Sequence, residues 1–243
     1  NYDGIQEYLD LENMIDWLLV NFYNGNSDWD THNWQAGRLR GEGETFKFFT
    51  WDSERTLLGP TVNNSTKNNV GRATGVHQKL RANADYRSLF ADRIHRHFFN
   101  NGALTPTSVA ASFQGFVDEL RTPLIAESAR WGDAQRAGNP YTVNSEWQTE
   151  VNYQLSTYIP GRTATVLNQF RNQNLYPSVE APVMSSTSGS DHTGLKKCMP
   201  KKRPGSASVE ASASIEFELV LVASVVGPRC AICWSTCFLS ARS

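Results

Sequence analysis

The chain has almost no excess of charge: 23 Lys and Arg stand against 24 Asp and Glu in 243 residues, a formal net of −1. So even a balance supplies no general pull toward nucleic acid or an anionic membrane, and neither is expected as a partner. There is no apolar run long enough to cross a bilayer; residues 217–226 come nearest and are too few. No initiator Met and no leader-like segment opens the chain, so the natural N-terminus is expected upstream of Asn1. Cysteine is missing from the first 197 residues. All four, Cys198, Cys230, Cys233 and Cys237, fall near the end. Cys230-x-x-Cys233 with Cys237 is one ligand short of a metal pattern and has no redox-type context around it.

What is present divides near Val183. Residues 184–243 hold all the cysteines, twelve serines and none of the asparagines, while six of seven tryptophans precede them. Their charge is seven Lys or Arg against four Asp or Glu, opposite in sign to the body. Polar, Pro- and Gly-interrupted stretches cannot offset the entropy of ordering, about 1–2 kcal/mol per residue. The body is therefore expected to be 1–183, with 184–243 a low-complexity tail, disordered or artefactual, outside its core.

Within the body, Leu11, Met14, Ile15, Leu18 and Phe22 fall at helical spacing. They predict an amphipathic helix over 10–23, capped by Asp10 and ended at Asn24-Gly25-Asn26. Segments 34–39 and 45–51 read as two strands joined by a turn at Gly41-Glu42-Gly43-Glu44. The polar, Asn-rich stretch 61–75 reads as a loop. Tyr86, Leu89, Phe90, Ile94 and Phe98 mark a helix, and Thr105-Pro106 opens another that runs to about Trp131 with Pro123 inside it. Two shorter helices are expected over 145–157 and 161–173. The fold class is mainly α with a small β-hairpin.

One constellation could carry chemistry. Asp28 is followed by Asn33, then by the hairpin, then by Asp52-Ser53-Glu54. Phosphoryl transfer from a nucleotide needs one carboxylate to orient the attacking hydroxyl, and an amide oxygen with a second carboxylate to hold Mg²⁺ against the phosphates. Protein kinases present those groups in this order. The spacing alone reads equally well as loop caps and a strand end. Other patterns fit worse. Asn24, Asn26, Asp28 and Asp30 alternate like a calcium loop, but Trp29 and Gln35 stand where such a loop needs Gly and Glu. His95 and His97 lie two apart and point to different helix faces. Trp17, Trp29, Trp34 and Trp51 read as core packing, and Gly37-x-x-x-Gly41-x-Gly43 as hairpin punctuation rather than a phosphate cradle.

Longer strings add to that order. Asn21-Phe22-Tyr23-Asn24-Gly25-Asn26-Ser27-Asp28-Trp29, His32-Asn33-Trp34 and Phe48-Phe49-Thr50-Trp51-Asp52-Ser53-Glu54-Arg55-Thr56-Leu57 resemble the core of the CotH (spore-coat protein H-like) kinase family. Leu89-Phe90-Ala91-Asp92-Arg93-Ile94-His95, His97-Phe98-Phe99, Ala129-Arg130-Trp131-Gly132-Asp133 and Leu175-Tyr176-Pro177 resemble its bacterial members. The resemblance implies the C-terminal lobe of a divergent protein-kinase-like fold. It implies transfer of the ATP γ-phosphate to serine or threonine of a serine-rich protein substrate, with Mg²⁺ or Mn²⁺, in an exported or cell-surface protein. By that resemblance Asp28 is the catalytic residue, Asn33 and Asp52 bind cofactor and metal, and Glu54 stands where many members have a second metal acid. No His-Arg precedes Asp28, and Asp52-Ser53-Glu54 replaces Asp-Phe-Gly, as in the family. Nothing resembles the glycine-rich loop or nucleotide-clamping Lys of an N-terminal lobe, so the chain is expected to be a fragment inactive alone. The rival reading is a non-catalytic, adhesin-like surface module on a degenerate kinase fold. The oligomeric state is open.

Overall fold

The computed structural model describes residues 1–179, apart from Gln135. The expected tail, 184–243, lies outside the described residues. A short turn of helix, α1 (Tyr2–Ile5), leads to α2 (Leu11–Asn24). The Asp10 side chain accepts from the Asn13 amide at 3.0 Å, and Gly25 closes α2 with φ 61°. That left-handed angle is cheap only for glycine.

α2 departs from the expected amphipathic helix. Every residue in it except Glu12 is buried. It is the central helix, packed against α4 (Ala84–Phe98), α7 (Ile159–Arg171) and strand β2 (Lys47–Thr50). Asn13, Asp16 and Asn21 can be buried because each finds a partner outside the helix. Asn13 Nδ2 donates to the Phe48 carbonyl at 3.4 Å, and the Phe48 amide donates to Asn13 Oδ1 at 2.6 Å. The Asn13 side chain thus stands in for a strand neighbour. Asp16 meets Arg93 and His97 of α4.

Strand β1 (Trp34–Gly37) pairs antiparallel with β2, Trp34 opposite Thr50 and Gly37 opposite Lys47. The strands are shorter than expected. Two strands alone are marginal in water; this pair is held by Phe48, which packs on Trp17 and Trp34 with ring centroids 5.1 and 5.5 Å away. Trp17 and Trp29 are fully buried, as expected of core residues. Trp51 is not: it is 59% exposed, because alternation along β2 sends Phe48 inward and Phe49 and Trp51 toward solvent.

The loop after β2 ends earlier than expected, at Arg72, where α3 (Ala73–Leu80) begins. α5 (Pro106–Trp131) starts as predicted, with Thr105 accepting from the Ser108 amide at 3.4 Å and Pro106 in the first turn. The two expected short helices form one continuous helical run, 143–171. It passes through a π turn (Val143–Trp147), α6 (Gln148–Tyr153), a second π turn (Gln154–Tyr158) and α7. The Ile159 amide reaches back five residues to the Gln154 carbonyl. That wider ring lets Pro160 enter in the first turn of α7 without a break.

Candidate active site

The site is built by the end of α2, the loop after it, and the segment after β2. Two backbone bonds zip these together: the Ser27 amide donates to the Arg55 carbonyl at 3.1 Å, and the Leu57 amide to the Asn24 carbonyl at 2.8 Å. Asp28 is thereby laid beside Asp52 and Glu54, 24 and 26 positions later in the sequence. Antiparallel pairing of Trp34 with Thr50 puts Asn33 and Asp52 at the same open end of the hairpin.

The loop itself is rigidly held. Asn26 is fully buried; its Oδ1 accepts from the Asp28 amide at 3.3 Å, its Nδ2 donates to Asn21 Oδ1 at 3.1 Å, and its carbonyl accepts from Asn64 at 2.5 Å. Asp30, also buried, accepts from Asn69 at 2.5 Å, from the Thr74 amide at 3.2 Å and from the Thr74 hydroxyl. The strap 61–72 is therefore fastened across the site rather than hanging free. Asn33 and Asp52 both have positive φ, 60° and 50°, as does buried Leu57 at 55°. For non-glycine residues such angles cost on the order of 1 kcal/mol or more and persist where the surroundings impose them.

Electrostatically the site is a crowd of carboxylates. Burial, then a hydrogen bond to Asp52 and repulsion from Asp52 and Asp28, push the Glu54 carboxyl up to about 7. Near neutral pH Glu54 is therefore partly protonated, and a cation beside it would favour its charged form. Asp28 Oδ2 lies 3.9 Å from Arg55 Nε and 4.0 Å from His32 Nε2. Asp28 Oδ1 and Glu54 Oε2 are buried with no hydrogen-bond partner among the described residues.

Of the four residues expected to form the site, the structure brings Asp52 and Asp28 within the field of Glu54. It places Asn33 at the neighbouring strand end, and among the described residues no hydrogen bond joins its side chain to theirs. Among the described residues no three His, Cys, Asp or Glu form a ready metal cage. Mg²⁺ does not ask for one, since it retains water and takes one or two carboxylates plus phosphate oxygens. An all-oxygen set with unpartnered buried oxygens and a raised carboxyl suits such a hard cation. Sequence reading missed Lys67, whose ammonium donates to the Ser27 carbonyl at 3.2 Å. It also missed Arg162, which binds the backbone behind the loop. Neither lies in a recognisable motif; both reach the site only through the fold.

The fold and the site define a mainly helical domain with a hairpin-bounded acidic cluster. The family profile described as CotH kinase protein matches residues 1–166, and the chain belongs to that family. No match was found among curated proteins or solved structures.

Proposed function

We propose that this domain carries the hydroxyl-activating and metal-holding part of a protein kinase site, transferring the ATP γ-phosphoryl group to a serine or threonine hydroxyl. The observation that carries the reading is the convergence of Asp28 with Asp52 and Glu54, in the order and around the hairpin that phosphoryl transfer requires. The Asp28 carboxylate, about a fifth of whose side chain is open to solvent, accepts the hydrogen bond of the incoming hydroxyl and takes its proton. The hydroxyl oxygen forms the new bond to the γ-phosphorus as the bridge to the β-phosphate breaks, and ADP leaves with the bridging oxygen. Asp52 and Glu54, with the Asn33 side chain at the same end of the hairpin, would hold Mg²⁺ or Mn²⁺. When bound, that ion neutralises charge on the phosphates. Fixing Asp28 through Asn26 and Arg55 spares the entropy of orienting it at each turnover.

No phosphate-covering loop or clamping lysine of an N-terminal lobe is recognisable in the sequence, so the chain alone is expected to be a poor catalyst. The decisive test is thermal unfolding of the natural protein with Mg²⁺ and ATP. The melting temperature should rise by mass action on the folded state. Asp52→Ala should abolish the rise, while Asp28→Ala should keep much of it and stop phosphate transfer. Equal rises in wild type and Asp52→Ala would defeat the metal role. Absence of any rise in wild type would favour a non-catalytic binding module.

A further inference from the structure

Three carboxylates and a transferred phosphoryl group cannot share one site without cations on the protein side as well as bound metal. Arg55 and His32 lie within 4 Å of Asp28, and the charge of Lys67 feels it from the strap. Arg55 is more than half exposed and lies 3.9 Å from the Asp28 carboxylate. Lys67 differs in every respect. It arrives on the strap 61–72, half-buried, with its ammonium against the Ser27 carbonyl at 3.2 Å and 5.7 Å from the centre of the Trp29 ring.

The strap positions Lys67 from both sides. Ahead of it, Asn64 bonds the Asn26 carbonyl; behind it, Asn69 bonds Asp30. Gln78 of α3 donates to the carbonyls of Ser65 and of Lys67 itself, at 3.2 and 3.1 Å. A lysine needed only on the surface would not require this anchoring. Asp30 and Asp28 both pull on its charge, yet no carboxylate among the described residues comes within ion-pair distance of it. Burial outweighs that pull and draws its pKa down. One of its three donors is used by Ser27, the residue immediately before Asp28. The ammonium is thus a partly desolvated, incompletely paired point charge, the condition under which lysine binds an anion strongly.

We propose that Lys67 is a further residue of this site, binding the terminal phosphoryl group of the nucleotide beside Asp28. The assignment rests on the kinase reading and adds a group that the sequence motif does not contain. The Trp29 ring beneath the ammonium and the Ser27 carbonyl fix its position before the nucleotide arrives, so that little rotamer freedom remains to be lost on binding.

The test compares binding of a non-hydrolysable ATP analogue, ADP and inorganic tripolyphosphate, each with Mg²⁺, to the natural full-length protein, to Lys67→Met and to Lys67→Arg. Wild type should prefer the ATP analogue over ADP. Lys67→Met should lose about tenfold in affinity for the ATP analogue and for tripolyphosphate, little for ADP, and Lys67→Arg should recover most of the loss. Unchanged melting temperatures would show that the variants are folded. If Lys67→Met keeps the full preference for the analogue, or loses the analogue and ADP equally, Lys67 is only a staple for the Ser27 carbonyl and the proposal falls while the kinase reading stands. Lys67-dependent binding of tripolyphosphate without nucleotide binding would overturn the kinase reading and leave Lys67 an anion site. Binding of none of the three by wild type would overturn both.

Discussion

Replacing Arg162 by Met should unfasten the loop of the candidate site from behind. Arg162 is fully buried in α7, and among the described residues no carboxylate forms an ion pair with it. Its guanidinium spends its donors on backbone carbonyls: Nε on Tyr23 at 2.6 Å, Nη2 on Phe22 at 2.7 Å, and Nη1 on Pro60 and Val62 at 2.7 and 2.9 Å. Phe22 and Tyr23 lie in the last turn of α2, where the helix dipole favours a cation. Pro60 and Val62 flank the start of the strap that carries Lys67. Hydrogen bonds from a charged donor contribute about 1.5–3 kcal/mol each. The sum is smaller than four such bonds, for two reasons. Burial penalises the guanidinium itself and lowers its pKa. Three of the carbonyls also keep a second donor: Gly25 at Phe22, Tyr158 at Tyr23 and Gln169 at Val62. Only the Pro60 carbonyl loses its sole partner among the described residues. A net loss of about 3 kcal/mol follows, equivalent to roughly 6–12 °C in melting temperature for a domain of this size. Calorimetry measures it, and amide exchange should show lost protection at Leu57 and Gly25 before the rest of α2. A melting temperature within about 1 °C of wild type would refute the reasoning.

Two further predictions concern pH. Burial, with a smaller push from Arg81, drives His77 down to about 3, and its Nδ1 is engaged with the Tyr86 hydroxyl at 2.8 Å. The unfolded chain takes up that proton near pH 6.5 and the folded chain does not, so stability should fall as pH drops from about 6.5 toward 3, by up to about 1.4 kcal/mol per unit. His77→Gln should flatten that limb in denaturant titrations; an unchanged slope would count against a buried neutral imidazole. Asp16 is also buried, but hydrogen bonds from His97 and Arg93 outweigh the desolvation and hold its carboxyl below the usual range. Its contribution is present above about pH 4 and lost as pH falls through the lowered folded-state value. Asp16→Asn should therefore cost about 2–3 kcal/mol at pH 7, because Arg93 keeps only the half-exposed Glu12 carboxylate, 3.1 Å away, with the gap to wild type closing in acid. A gap that did not change with pH would show that the charge of Asp16 is irrelevant.

Local rules determined much of this protein. Asp10 and Gly25 bound α2, and Thr105-Pro106 opens α5, because cap and stop chemistry acts within a few residues. The chain order Asp28, Asn33, hairpin, Asp52 was legible for the same reason: a hairpin returns its two ends together whatever surrounds it. Tertiary structure decided the rest. α3 has no side-chain cap of its own; Asp30, 44 residues earlier, accepts from the Thr74 amide. Gly75 is needed there because a Cβ would collide with the Asn69 carbonyl. No window along the sequence contains both halves of such a contact. The polar residues of α2 suggested a solvent face, but their partners Phe48, Arg93 and His97 come from distant elements and bring those residues inside. The same distance hid Lys67 and Arg162. Each acts through backbone carbonyls, and a carbonyl leaves no mark on the sequence of the residue that bears it.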